Sequence, residues 1–149
     1  MTINEEMELL RKIPLFAKVE PAKLKLLAFA SERAVFAPSE NLFYQGDLGD
    51  AAYIIIDGEA EVLINGPSGP IPVATVGKND FVGEIAILCD VPRTATVRAK
   101  SALTTLRITK DLFLRMLMDF PAIGIEVMRV LAQRLEHTTE RLRDALAKR

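Results

Sequence analysis

Cysteine and histidine are almost missing from this chain of 149 residues, and each scarcity removes a class of chemistry. With Cys89 alone there is no internal disulfide framework, no iron–sulfur cluster held by four cysteines and no Cys-rich zinc site. With His137 alone, one subunit cannot assemble the two or three histidines that metal-dependent β-barrel enzymes gather, so no metal or cofactor is expected. No apolar run approaches the roughly 18 residues that cross a bilayer. The acidic start, Met1–Glu8, also lacks the basic opening of a secretory signal, so a cytoplasmic chain without membrane contact is expected. An excess of one charge is absent too: 19 Lys and Arg against 20 Asp and Glu leave a formal net charge of −1, with no general attraction to nucleic acid.

What is present is a chain that is half apolar and of a length that fits one domain, 1–149, with a sizeable core. Apolar residues at spacings of three and four predict two short helices, Glu5–Lys12 and Pro21–Glu32, separated by Pro14 and Pro21, within an N-terminal region 1–32. From Arg33 the period falls to two. Strands are predicted at Arg33–Phe36, Asn41–Tyr44, Ala52–Ile56 and Glu59–Ile64, arranged as a β meander, with a turn at Gln45-Gly46-Asp47. Asp57-Gly58 reads as a type I′ hairpin turn and the Gly66–Pro70 stretch as an exposed hairpin tip before a Pro72–Val76 strand. Ala95–Ala99 and Leu103–Ile108 complete a β region, 33–109. A C-terminal region, 110–149, holds a short helix at Asp111–Met118 and a long one at Ala122–Lys148, begun by Pro121. The resulting fold class is α+β: an eight-stranded β-roll or jelly-roll barrel with N-terminal helices and a long C-terminal helix.

The stretch 81–97 carries chemistry. Gly83 lets backbone approach an anion, and the free N–H groups opening the Glu84–Leu88 turn point at it. Nine positions past Glu84, Arg93 can make two parallel charge-assisted bonds to phosphate oxygens, and the Thr94 hydroxyl can complete the cradle. A carboxylate beside a phosphate would repel it, so Glu84 suits a sugar hydroxyl that donates to it. Arg98 and Lys100 read as solvated strand-edge charges, Cys89 as an inert buried residue, His137 as an exposed helix residue, and Phe113, Met116 and Met118 as core.

The block from Phe81-Val82-Gly83-Glu84 to Pro92-Arg93-Thr94-Ala95-Thr96-Val97, with Gln45-Gly46-Asp47 and Tyr53–Val62, resembles the cyclic nucleotide-binding domain family and its phosphate-binding cassette. Val82, inserted between the cassette's Phe and Gly, is similar to the catabolite activators of that family. The resemblance implies that Glu84 meets the ribose 2′-hydroxyl, that Arg93 holds the cyclic phosphate, and that Gly83, Ile85, Ala86, Thr94 and Ala95 reach it through backbone or hydroxyl. It implies that Val62 and Val73 wall the pocket. The implied function is a non-catalytic receptor for cAMP, with cGMP the alternative because a threonine after the cassette arginine is associated with cGMP in kinase members. A ligand-free or heterodimerising structural domain and a metal-dependent β-barrel enzyme are the competing readings.

Met128, Leu131, Leu135, Thr138, Leu142 and Ala145 recur at alternating steps of three and four, the seam of a coiled coil, so a homodimer through the last helix is expected. Gln133–Glu140 is similar to the activators' dimerisation helix. By that resemblance Thr138 and Thr139 contact the adenine amino group, one of them from the other subunit, and Arg134 pairs with the cassette glutamate. Ten residues follow Thr139, too few for a helix-turn-helix, so no direct DNA binding is expected and any effector is an unknown protein. Arg141, Arg143, Lys148 and Arg149 read as a solvated helix end.

Overall fold

The computed structural model describes residues 3–148; Met1, Thr2 and Arg149 lie outside the described residues. Helices α1 (Ile3–Arg11) and α2 (Pro21–Ala30) come first, with a 3₁₀ turn at Pro14–Phe16 between them. Eight strands follow: β1 (Glu32–Phe36), β2 (Asn41–Phe43), β3 (Ala51–Asp57), β4 (Ala60–Gly66), β5 (Gly69–Val76), β6 (Phe81–Val82), β7 (Thr96–Ala99) and β8 (Leu103–Thr109). The short helix α3 (Glu84–Leu88) interrupts them after β6, and α4 (Lys110–Asp119) and α5 (Pro121–Ala147) close the chain. Pro21 and Pro121 occupy first-turn positions, where a missing N–H costs nothing.

The strands form two antiparallel four-stranded sheets, β1-β8-β3-β6 and β2-β7-β4-β5. This bears out the eight-stranded roll, whose two sheets do not close into one barrel, and corrects the expected meander. Among the described residues the only sequential neighbours that pair are β4 and β5; the others pair across long sequence separations, as in a jelly roll. Asp57-Gly58 is therefore no hairpin turn. It carries the chain from one sheet to the other, and the sharp reversal, with Gly58 at φ +95°, leaves a side chain there no room against the Ala102 carbonyl. The glycine signal was real; the turn type was not. The Gly66–Gly69 tip is tighter than expected, because the ladder runs to Gly66↔Gly69 with only Pro67 and Ser68 outside it. Pro70 and Pro72 are tolerated because β5 is an edge strand.

Two cores result. Between the sheets pack Ala51, Tyr53, Ile55, Val82, Val97 and Leu103. Outside the first sheet, Ala52, Ile54, Leu106 and Ile108 meet the helices through Leu10, Phe16, Leu24, Phe113, Met116 and Ile123. β3 is thus buried on both faces, which explains its unbroken apolar run. Met118 departs from expectation at 82% exposed, since it lies on the outer face of α4 while Met116 points inward. Cys89 is exposed rather than buried, because α3 ends there and the chain turns outward. No helix among the described residues is long and apolar enough to cross a membrane.

Of the expected α5 seam, Met128, Leu135, Leu142 and Ala145 are exposed, and two residues depart from it. Leu131 is half-buried against the helical core and Thr138 faces a cavity. The exposed apolar positions are Ile125, Met128, Leu135, Leu142 and Leu146, and with Ala132 and Thr139 between them they run in steps of three and four. Up to Arg134 one side of α5 is buried or half-buried, as an amphipathic helix packed on a core requires, and from Leu135 to Lys148 every residue is exposed.

Candidate functional site

Between β4, β5, β7, the loop after β6 and the inner face of α5 lies a cavity of about 820 Å³. The cassette residues Gly83, Glu84, Ile85, Ala86, Arg93, Thr94 and Ala95 all line it, as do Val62 and Val73 on the sheet and Arg134 and Thr138 on the helix. Thr139 does not. Its hydroxyl donates to the Leu135 carbonyl at 2.8 Å, on the exposed face of α5.

Arg93 is buried, 3% exposed, and almost immobilised. Its Nη1 donates to the Gly83 carbonyl at 2.8 Å and its Nη2 to the Ala51 carbonyl at 2.6 Å. The guanidinium stacks 3.9 Å from the centre of the Phe43 ring, and the Asp50 carboxylate stands 3.5 Å from Nη2. Its backbone is clamped by the Gln45–Asp47 turn: Arg93 N donates to Asp47 O and Gly46 N donates to Arg93 O. Burial draws the Arg93 pKa below its ordinary value, and Asp50 opposes that. The buried Nε has no hydrogen-bond partner among the described residues. A desolvated, charged N–H left so is costly unless an acceptor meets it.

Gly83 caps α3 in the left-handed region, at φ +88°, and a Cβ there would stand 2.6 Å from Arg93 Nη1. The position therefore requires glycine twice, for its backbone angle and for the approach of the guanidinium. Glu84, also 3% exposed, is reached by Arg134, whose Nη1 donates to Oε1 at 3.1 Å and whose Nη2 donates to the Phe81 carbonyl at 2.7 Å. Burial raises the Glu84 carboxyl above its ordinary value, while Arg134, the residue's own backbone N–H and Arg93 pull it back. With the folded pKa above the unfolded one, this group's contribution to stability is full below the unfolded value and is lost as pH rises through the folded value. Arg134 thus hooks α5 to the cassette by a two-point contact.

The sequence profile described as Cyclic nucleotide-binding domain matches residues 33–120, more than half the chain and all of the cassette. The chain belongs to the cyclic nucleotide-binding domain family. This cyclic nucleotide-binding domain is 39% identical over 108 residues to the cAMP-dependent protein kinase regulatory subunit of Yarrowia lipolytica, covering 72% of this chain and 28% of that protein. It is 29% identical over 140 residues to the CRP-like cAMP-activated global transcriptional regulator of Mycobacterium tuberculosis, covering 93% and 62%. The catabolite activator protein of Thermus thermophilus superposes with a TM-score of 0.77 at 26% identity, over 90% of this chain and 63% of that one. The domain spans less than two thirds of each of these three proteins.

Several residues of the site were not legible beforehand. Phe43, Asp50 and the Ala51 and Phe81 carbonyls hold the two arginines through contacts 42 to 53 residues apart, which no local spacing announces. Arg141, expected to be a solvated helix end, donates from Nη1 to the Val73 carbonyl at 3.0 Å and lines the cavity with His137 and Leu142. Its position three residues past Thr138 and seven past Arg134 put it on the same helical face, and that signal was available. Arg98, expected at a sheet edge, lies on the inner strand β7 and pairs with Glu61 on β4 at 2.8 Å.

Proposed function

We propose that this chain is a non-catalytic cytoplasmic receptor for a 3′,5′-cyclic purine nucleotide, cAMP preferred and cGMP the alternative, which signals by moving α5 against the sheets. The observation that carries the reading is the buried Arg93 guanidinium, fixed at the cavity wall with its Nε unpartnered, beside Gly83 and Glu84. A singly charged cyclic phosphate supplies the acceptor oxygens and charge that this group is arranged to receive. The three relatives, named for cAMP-dependent regulation and catabolite activation, support the same ligand class.

In this reading the N-terminal helices, the two sheets and the C-terminal helices work as one binding unit. The ribose 2′-hydroxyl donates to Glu84, the carboxylate that holds Arg134, so ligand arrival alters the contact that fixes α5 to the cassette. Gly83, Ile85, Ala86, Thr94 and Ala95 complete the phosphate cradle, and Val62 and Val73 flank the base. Direct DNA contact and membrane contact form no part of the proposal, and the downstream effector is a protein not identified by the chain.

Titration with cAMP and its 2′-deoxy analogue tests the ribose assignment. Glu84→Ala should lose about 1.5–3 kcal/mol of cAMP affinity, the worth of a hydrogen bond to a charged group. The deoxy analogue should bind wild type and variant nearly alike. A deoxy analogue that binds wild type as tightly as cAMP removes Glu84 from the ribose.

Assembly is proposed along the exposed stripe Met128, Leu135 and Leu142, which sets Thr139 toward a second copy and its base, with Thr138 serving the copy's own cavity. Leu135→Glu places like charges in that seam. It should yield a monomer in sedimentation and a lower cAMP affinity, with the sheets still folded. By linkage, cAMP tightens the wild-type dimer by the factor that dimerisation tightens cAMP. A wild type monomeric with and without cAMP would contradict this.

A further inference from the structure

Two arginines of the cavity lie on phenylalanine rings, Arg134 at 4.7 Å from the centre of Phe81 and Arg93 at 3.9 Å from that of Phe43. The two contacts are unequal. The Arg134 side chain is 34% exposed and the Arg93 side chain 1%, and a cation over a ring gains most where water has been removed.

The hydrogen bonds that hold Arg93 act in one plane. A guanidinium is flat and its N–H bonds radiate within that plane, so the Gly83 and Ala51 carbonyls, which accept from Nη1 and Nη2, stop it sliding there. They oppose tilting and lifting out of the plane only weakly. Asp50, 71% exposed and 3.5 Å from Nη2, is a looser partner. The Phe43 ring, which lies over the face of the group, supplies the missing constraint. That ring is itself seated. Tyr53, buried between the sheets, stands 6.1 Å from it with the two planes 32° apart, and Phe36 meets Tyr53 edge-on at 6.1 Å. A Cβ on Gly83 would fall 3.3 Å from Phe43 Cε2, so the ring also abuts the cradle backbone, and it lines the cavity. Of the Arg93 nitrogens, Nε is the one left buried without a partner, and the tilt of the guanidinium decides where its N–H points.

We propose that Phe43 is a positioning residue for the phosphate: the electron-rich face of its ring holds the Arg93 guanidinium at the tilt that presents Nε to the ligand and keeps water off that face. The proposal rests on the reading of the cavity as a cyclic nucleotide site and adds to it a residue on β2, outside the cassette, that acts through Arg93.

The test is calorimetric titration of cAMP into wild type, Phe43→Tyr, Phe43→Leu and chains carrying mono-, di- or pentafluorinated phenylalanine at position 43, with melting curves on each. Fluorine nearly keeps the shape of the ring while drawing electron density from its face, so this series varies the attraction for a cation with the packing held close to constant. Affinity is expected to fall in the order of fluorination, by about tenfold for the pentafluorinated ring. Phe43→Tyr should stay within about threefold of wild type and Phe43→Leu should lose about tenfold. If Phe43→Leu does not fold, the fluorinated series decides alone. Equal affinity across that series, with wild type binding cAMP, would overturn the proposal, leave Phe43 a packing residue and leave the cavity reading standing. A wild type that binds no cyclic nucleotide overturns both.

Discussion

Replacing Arg93 by alanine is expected to lower cAMP affinity by about 2–5 kcal/mol, roughly thirtyfold to several thousandfold. The size follows from how the side chain is held. Gly83 O, Ala51 O, Phe43 and Asp50 fix the guanidinium before any ligand arrives, so no rotamer freedom is lost on binding and the charge acts in a desolvated wall. Arg93→Lys should recover little, because a single ammonium cannot hold two carbonyls and also present a second N–H to a phosphate. The fold itself should weaken less than the binding. Two carbonyls lose their donor, at about 1–3 kcal/mol for each that water does not reach, and the removal of a buried charge offsets part of that. Titration of a variant shown to be folded by circular dichroism measures the effect, and unchanged affinity would remove Arg93 from the phosphate.

Gly83→Ala is expected to be the most damaging single-methyl change in the cassette. The left-handed backbone alone costs a non-glycine residue about 1–2 kcal/mol. The added Cβ, 2.6 Å from Arg93 Nη1 and 3.1 Å from the Ala51 carbonyl, must also push the guanidinium out of its seat. Stability to denaturant should fall by about 1–3 kcal/mol and cAMP affinity by about tenfold or more. Because most of the binding loss acts through Arg93, Gly83→Ala should cost much less affinity in an Arg93→Ala background than in wild type, where the displaced guanidinium adds to any shift of the Gly83 backbone in the cradle. Additive losses would show that Gly83 acts on the ligand independently.

The cassette was legible because its parts are close in sequence and each carries a local constraint: a glycine at positive φ, a short helix, an arginine nine residues past Glu84. Helix starts at Pro21 and Pro121 were legible for the same reason. Sheet pairing was not. Asp57-Gly58 has the composition of a two-residue hairpin, yet β3 and β4 belong to different sheets, and only the distant partners β8 and β7 decide that. Two residues of the apolar spacing along α5 face the protein, because spacing alone does not say which side a helix buries. Leu131 packs on the helical core and Thr138 on the cavity, which leaves Met128, Leu135, Thr139 and Leu142 outside. The support of Arg93 was hidden for a simpler reason: backbone carbonyls carry no residue signature.

Calorimetric titration of cAMP into the wild-type chain tests the central claim most directly. A saturable heat with one nucleotide bound per chain, together with a raised melting temperature, is the expected result, since a ligand that binds only the folded state stabilises it in proportion to its occupancy. No heat and no thermal shift with either cAMP or cGMP at about millimolar concentration, where affinity would be weaker than about −4 kcal/mol, would contradict it.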